Sequence, residues 1–231
     1  MKDWLKKKVV QHITKQGLVL HPQTTTLLTE HSATELLYFA RLLKMVEGVP
    51  GDVVECGVWR GFSLTEWALL LADAPTRRHL WGFDSFQGYP TAREDGAPKG
   101  TFSDTSIPHV WARLQQTGLT LEYLRNHITL VPGFFDQSLQ PLTTPIALLH
   151  LDANLYASTK VCLETLWPHI QVGGVIALNE YDRTEDSARC PGSRKAVDEF
   201  VSAHRDLIQG RDPRNGKTFL LRATRSDHVT D

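Results

Sequence analysis

Cysteine is scarce and unpaired by pattern. Cys56, Cys162 and Cys190 are three residues far apart, which excludes a disulfide framework and any zinc-site spacing. A reducing, cytoplasmic setting is the expectation. No run approaches the ~18 apolar residues of a membrane span. The N-terminus, MKDWLKKKVV, has charge but no apolar h-region, so no signal peptide is expected. Charge of one sign is also missing. The net charge is −1, so neither nucleic acid nor an anionic membrane is expected as a partner. There is no internal repeat and no low-complexity tract. What remains is 231 residues, 41% apolar and 22% charged, enough for one domain with a sizeable core.

Within that chain, GDVVECGVWRGFSLTE (Gly51 to Glu66) reads as strand, glycine turn and helix. Asp52 to Cys56 supplies a short buried strand. Gly57 and Gly61 make the turn. Ser63 to Glu66 matches a capping box, with Ser63 at the N-cap, ahead of the apolar run Trp67 to Ala72. Such a unit opens an α/β sheet whose ligand sits at the strand's carboxyl end. A dinucleotide site would carry G-x-G-x-x-G. Here Glu55 stands where the first glycine would be. A carboxylate repels a pyrophosphate and suits a ligand with a positive end, such as S-adenosylmethionine. The same stretch also fits any tight βα turn. The next strand, HLWGFDSF, ends on Asp84, roughly 20 residues beyond the glycine turn, the spacing of an acid that holds ribose hydroxyls. An acidic turn cap is the plainer reading of that residue.

Further strands are expected at 52–57, 79–84, 128–131, 146–152 and 174–179, with helices at 63–74, 106–125 and 158–170 between them. That alternation predicts a parallel sheet with helices on both faces. A helix at 193–204 precedes two β-like runs, Leu207-Ile208 and Lys217 to Arg222, read as a closing antiparallel hairpin. Ahead of the sheet, residues 2–16 read as a basic amphipathic helix packing on the domain or on a second subunit. Ser32 to Glu35 reads as a capping box opening a helix through about Val46. The fold class expected is thus α/β and Rossmann-like, a single domain over 1–231. Residues 1–48 are read as an N-terminal helical segment, 49–223 as the core and 224–231 as a tail. The long non-periodic stretch 86–105 is expected to be a lid or binding loop, with disorder as its alternative.

A second constellation lies at two strand ends. HLDANLY (His150 to Tyr156) places Asp152 at one, and LNEY (Leu178 to Tyr181) places Asn179 and Glu180 at the other. In a parallel sheet these can converge near Glu55 and Asp84. Oxygen ligands of this type suit Mg²⁺ or Ca²⁺ rather than zinc, and a metal there would lower the pKa of a substrate hydroxyl. An ordinary helix cap and turn explains the same residues. His150 reads as a substitute base or, more simply, as a hydrogen-bonded core histidine. Tyr156, Tyr181 and Trp111 read as pocket lining or as packing.

The segments GDVVECGVWRG, GFDSFQGYP, HLDANLY, GGVIALNEY and PGSRKAVDEF occur in one order. Together they resemble the macrocin O-methyltransferase family, class I methyltransferases that modify sugar hydroxyls of natural products such as antibiotics. The resemblance runs from about Thr24 to Arg222. It implies a seven-stranded sheet with a C-terminal antiparallel strand, S-adenosylmethionine as donor, Mg²⁺ at the acceptor site, a small-molecule acceptor, and frequent homodimers with the N-terminal segment, here 1–48, covering the site. By this resemblance the donor-site residues are Glu55, Gly57, Gly61, Ser63, Asp84, Ser85, Ser103, Ser106 and Asp152. Asp136, Thr29 and Glu30 match family segments less closely.

The acceptor side departs from the family. The family's H-L-D-A-D-L-Y has become HLDANLY, and an amide at Asn154 cannot take a proton. The family's I-D-D-Y has become LNEY. Site charge falls from roughly −3 to −2, which weakens Mg²⁺ binding. The catalytic candidates are Asp152 and His150, and the metal candidates Asp152, Asn179 and Glu180. O-methylation of a sugar or other natural product is the expected activity. The alternatives are a metal-independent transfer to a carboxylate, amine or phenol, a non-catalytic donor-binding protein, and a nicotinamide oxidoreductase.

Overall fold

The computed structural model describes residues 30–92, 95–181 and 190–223. The expected helix at 2–16, Thr29 and the tail 224–231 lie outside them, as do the side chains of residues 30–32. The chain divides into two compact units, Met1–Ala33 and Thr34–Asp231. The sheet belongs wholly to the second.

Helix α1 (Glu30–Met45) comes first. It is already under way at Glu30, so Ser32 is not its N-cap. It buries Tyr38, Phe39 and Leu42, with Val46 just beyond, the spacing of one helical face. Strand β1 (Asp52–Cys56), helix α2 (Phe62–Asp73) and strand β2 (Leu80–Asp84) follow. The capping box expected at Ser63 is not formed. Gly61, at φ 79°, is the N-cap and the helix starts at Phe62. Ser63 therefore sits inside the first turn, and its hydroxyl lies near Glu55. The single helix expected at 106–125 is two, α3 (Ile107–Gln115) and α4 (Leu121–His127). Gly118 at φ 84° interrupts it, and the Thr120 side chain accepts from the Tyr123 N–H to start the second.

The chain continues through β3 (Ile128–Pro132), the short α5 (Phe135–Ser138), β4 (Ile146–Leu151), α6 (Tyr156–Leu166) and β5 (Ile170–Leu178). It closes with α7 (Pro191–Ala203), β6 (Leu207–Arg211) and β7 (Thr218–Arg222). The seven strands lie in the order β3-β2-β1-β4-β5-β7-β6. The first five are parallel, and β7 pairs antiparallel with both β5 and β6. The expected seven-stranded sheet and closing hairpin are thus both present. Every residue of β4 is buried, as a central strand covered on both faces requires. Successive residues feed opposite faces: Val53 joins the cluster of Phe39, Leu64 and Trp67, while Val54 joins that of Leu149, Cys162 and Leu166.

The strand order reverses between β1 and β4, and a crevice opens at their carboxyl ends. Backbone pairing runs past the strand ends there. The Gly57 N–H donates to Phe83 O at 2.9 Å, Asp152 N–H to Cys56 O at 2.9 Å, and Asn179 N–H to Leu151 O at 3.1 Å. Gly57, Asp152 and Asn179 are thereby fixed in one row across three strands.

Candidate functional site

A cavity of about 570 Å³ sits over that row. Gly57 and Asp152 form its floor, Asp84 and Ser85 one side, and Asn179 and Glu180 the other. Trp59, Tyr89, Phe102, Phe134 and Phe135 supply aromatic walls, with Asp136 beside them. Gly57 is there for space. A Cβ on it would lie 2.1 Å from the Asp152 carbonyl oxygen, and its φ of 98° disfavours any side chain. At Gly57 the floor is bare backbone because β1 and β4 approach too closely there for a side chain.

Asp84 does more than offer a carboxylate. Its Oδ2 accepts from the Trp59 N–H at 2.7 Å and its Oδ1 from the Phe86 N–H at 2.7 Å. Trp59 and Phe86 stand at φ 46° and φ 52°, left-handed values that bulky residues rarely adopt. One carboxylate thus pins two strained turns flanking the cavity, and each of its oxygens keeps a lone pair for a ligand. Trp59 is held again through its indole N–H, which donates to Asp104 Oδ1 at 2.8 Å. That bond, with Arg60, holds the Asp104 carboxyl below its usual range. Trp59 was missed in the sequence because nothing local distinguishes it from a packing tryptophan.

From the stretch 86–105, Gly88, Tyr89, Pro90 and Phe102 line the cavity. The Tyr89 N–H donates to Thr101 O at 2.9 Å and the Gly100 N–H to Tyr89 O at 3.0 Å, which seals the loop's base. Asp95 accepts from the Tyr156 N–H at 3.2 Å, capping α6 where Leu155 offers no side-chain bond. Asn154 Nδ2 donates to the Tyr89 hydroxyl at 2.7 Å. The residue expected to be useless as a base therefore serves as a donor that fixes the loop.

Some expected site residues stand apart from the cavity wall. Glu55 and His150 are fully buried, paired in register on β1 and β4, with His150 Nδ1 2.8 Å from Glu55 Oε1. His150 packs edge-on to Phe39 at 4.9 Å, the core histidine of the simpler reading. Burial raises the Glu55 pKa, and the His150 hydrogen bond opposes that. Gly61 and Ser63 belong to the start of α2. Ser106 caps α3 by accepting from the His109 N–H at 3.3 Å. Ser103 also lies away from the wall, and so do Trp111, Tyr156 and Tyr181. Tyr156 donates instead to Glu199 and Tyr181 to Asp198. The cavity brings together Gly57, Asp84, Ser85, Asp152, Asn179 and Glu180.

Behind the floor, Glu66 on α2 has a buried Oε2 with no hydrogen-bond partner among the described residues. Burial first, then the Glu35 and Glu55 charges, pushes its pKa up to about 8. The folded protein holds this proton after the unfolded chain, with its ordinary value of 4.5, has released it. Its contribution to stability is complete below pH 4.5 and is lost as pH rises through about 8. Glu66→Gln should flatten that decline and raise the thermal midpoint at pH 9 by about 2 °C, an effect kept small by solvent at its exposed edge. Calorimetric melting from pH 5 to 9 checks it. An unchanged slope would show that Glu66 ionises normally.

The proposed metal ligands make a different arrangement. Asn179 Oδ1 accepts from Lys217 Nζ at 2.6 Å. Its amide nitrogen donates to Asp152 Oδ1 at 2.9 Å and to Glu180 Oε1 at 3.1 Å. Burial raises the Asp152 pKa, against lowering by His150, Asn179 and Lys217. Among the described residues, no three His, Cys, Asp or Glu side chains are grouped to hold a metal. Mg²⁺ does not fit these residues, because Asn179's carbonyl is engaged by an ammonium. Lys217 itself went unnoticed in the sequence, where it closes a turn-rich stretch.

Comparison with known proteins bears on this geometry. The family described as Macrocin-O-methyltransferase (TylF) matches residues 22–208. The chain is 31% identical over 172 residues to the 8-demethyl-8-(2,3-dimethoxy-alpha-L-rhamnosyl)-tetracenomycin-C 4'-O-methyltransferase of Streptomyces olivaceus, covering 68% of this chain and 64% of that protein. It is 33% identical over 160 residues to the demethyldecarbamoylnovobiocin O-methyltransferase of Streptomyces niveus, covering 66% and 58%. The chain thus spans less than two thirds of the length of each of these relatives. The solved O-methyltransferase NovP superposes with a TM-score of 0.69 at 27% identity, over 83% of this chain and 80% of that one.

Proposed function

Since the chain belongs to the macrocin O-methyltransferase family, we propose that it transfers a methyl group from S-adenosylmethionine to a hydroxyl of a small, glycosylated natural product. The observation that carries this reading is the cavity itself, which lies at the switch point of the sheet. Its floor is bared at Gly57, its charged groups are all carboxylates (Asp84, Asp136, Asp152 and Glu180), and aromatic rings share the rest of the wall with aliphatic and neutral polar residues. Such a lining suits a cationic, partly aromatic donor and rejects a pyrophosphate. The names of the relatives, each an O-methyltransferase of an antibiotic-type molecule, support the acceptor class.

In this reading Asp84 holds the donor's ribose and Ser85 lies beside it. Gly57 lets the donor approach the backbone of β1. Glu55 acts from behind the floor, through its pair with His150. When bound, S-adenosylmethionine supplies an electrophilic methyl on a sulfonium. Held by Gly57, Asp84 and Ser85, it would supply the methyl carbon for a new bond to the acceptor oxygen, with its own neutral thioether as the leaving group. The acceptor's proton passes to the Asp152 carboxylate, a group on the cavity wall whose pKa burial has raised toward that of a useful base. Asn179 and Glu180 orient the acceptor beside it, and much of the rate comes from holding the partners in line. Homodimer formation and a cytoplasmic location belong to the proposal too, and rest on the sequence alone.

Isothermal titration with S-adenosylhomocysteine tests the reading. We expect a Kd on the order of 1–100 µM, equivalent to about −8 to −5 kcal/mol, and no heat from NADH. NADH binding without a response to S-adenosylhomocysteine would replace the proposal with an oxidoreductase.

A further inference from the structure

We propose that Lys217 is the resident cation of this site, and that it replaces a divalent metal at the ends of β4 and β5. The catalytic consequence rests on the methyltransferase reading; the absence of metal affinity does not.

The lysine is delivered by a purpose-built turn. Asp212, nearly fully buried, accepts from the Arg214 N–H at 2.8 Å and the Asn215 N–H at 3.2 Å, and from Arg41 Nη1 at 3.1 Å. The Asp212 N–H donates to Lys217 O at 2.9 Å, and the Lys217 N–H to Asn215 Oδ1 at 3.0 Å. Residues 212–217 are thus closed on themselves, and Lys217 enters β7 beside β5. Its side chain is 8% exposed. The ammonium donates to Glu35 Oε1 at 2.8 Å and to Asn179 Oδ1 at 2.6 Å, and faces the Tyr38 ring at 5.9 Å.

Asn179 converts this charge into a lock. A lysine ammonium has donors and no acceptor, so it fixes the amide with its oxygen toward Lys217. Both amide hydrogens must then face the carboxylates, and they do, on Asp152 and Glu180. A divalent ion at those carboxylates would need the amide to turn around. Turning it would set Asn179's NH₂ against the ammonium, donor against donor, and the Lys217 side chain is only 8% exposed to solvent. The ion would also meet Lys217's own charge. The same bond polarises the amide and strengthens its hold on the two carboxylates. Charge that a metal supplies from the cavity side is here supplied from behind the wall.

The test is a Mn²⁺ titration of the metal-stripped full-length protein, followed by electron paramagnetic resonance of the free ion. A parallel S-adenosylhomocysteine titration on the same sample reads the donor site separately. Wild-type protein should show no Asp152-dependent site tighter than about 1 mM, the weak end of oxygen-ligand sites. Lys217→Met combined with Asn179→Asp should create one at least about tenfold tighter, which Asp152→Asn then abolishes. The double variant should also bind at least about tenfold tighter than Asn179→Asp alone, an increment that a merely structural lysine would not produce. A tight wild-type site lost in Asp152→Asn overturns the proposal, as does a folded double variant with no gain. A wild-type site that survives Asp152→Asn lies elsewhere and leaves the centre metal-free as proposed. Should the double variant fail to fold, the wild-type titration decides alone.

Discussion

Replacing Gly57 by alanine should cost about 3 kcal/mol of stability or more and reduce S-adenosylhomocysteine affinity by at least about 100-fold. The added methyl would sit 2.1 Å from the carbonyl oxygen and 2.9 Å from the carbonyl carbon of Asp152. Both are backbone atoms of the neighbouring strand connection, so no side-chain rotation relieves the overlap. Relief requires β1 and β4 to part at their carboxyl ends, which pulls apart the row of Gly57, Asp152 and Asn179. The φ of 98° adds strain of its own. For a domain of this size the thermal midpoint should fall by roughly 6–12 °C. Gly96→Ala is the matched control. It also has positive φ, at 63°, but a Cβ there meets nothing within 4 Å. It should lose about 1–2 kcal/mol from conformation alone and leave donor binding intact. Equal losses in the two variants would show that the close approach at Gly57 is immaterial.

Asp152→Asn should lower the rate of methyl transfer to a glycosylated acceptor by roughly 10²–10⁴-fold, the contribution of a positioned base. The amide oxygen introduced by this substitution can still accept from Asn179 Nδ2. The local geometry should therefore persist, and the affinity for S-adenosylhomocysteine should change by less than about fivefold. The loss should fall on kcat and spare donor binding. A rate within about tenfold of wild type would remove Asp152 from the proton path. Tyr89 is not a ready substitute, because burial raises its pKa further from neutrality.

How much of this was legible beforehand differs by residue. Asp84 and Asp152 were readable because each ends a short apolar run, and strand ends in a parallel sheet gather at one edge. The helix start at Gly61 was misread. Ser63 and Glu66 satisfied a capping pattern, yet both side chains turn toward the buried Glu55 region, where packing outweighs a local cap. Ser106 was placed near the donor by resemblance and is found bonding the first turn of α3. Asn154 was recognised as unable to take a proton, but its bond to Tyr89 joins positions 65 apart, beyond any sequence pattern.

The sequence by itself determined the order of strands and helices, the glycine at the β1 turn, and the chemical types at the strand ends. Those follow from periodicity and backbone preference, which act over a few residues. It also determined that the acceptor centre departs from its family, since Asn154, Asn179 and Glu180 can be read letter by letter. Only the tertiary structure decided what fills that departure. Lys217 reaches Asn179 across 38 positions and Glu35 across 182, because an antiparallel hairpin lays β7 against β5. Which end of the Asn179 amide faces which neighbour is set by donors and acceptors converging from separate elements. Such a convergence has no period and no local signature, and so it exists only once the chain has folded.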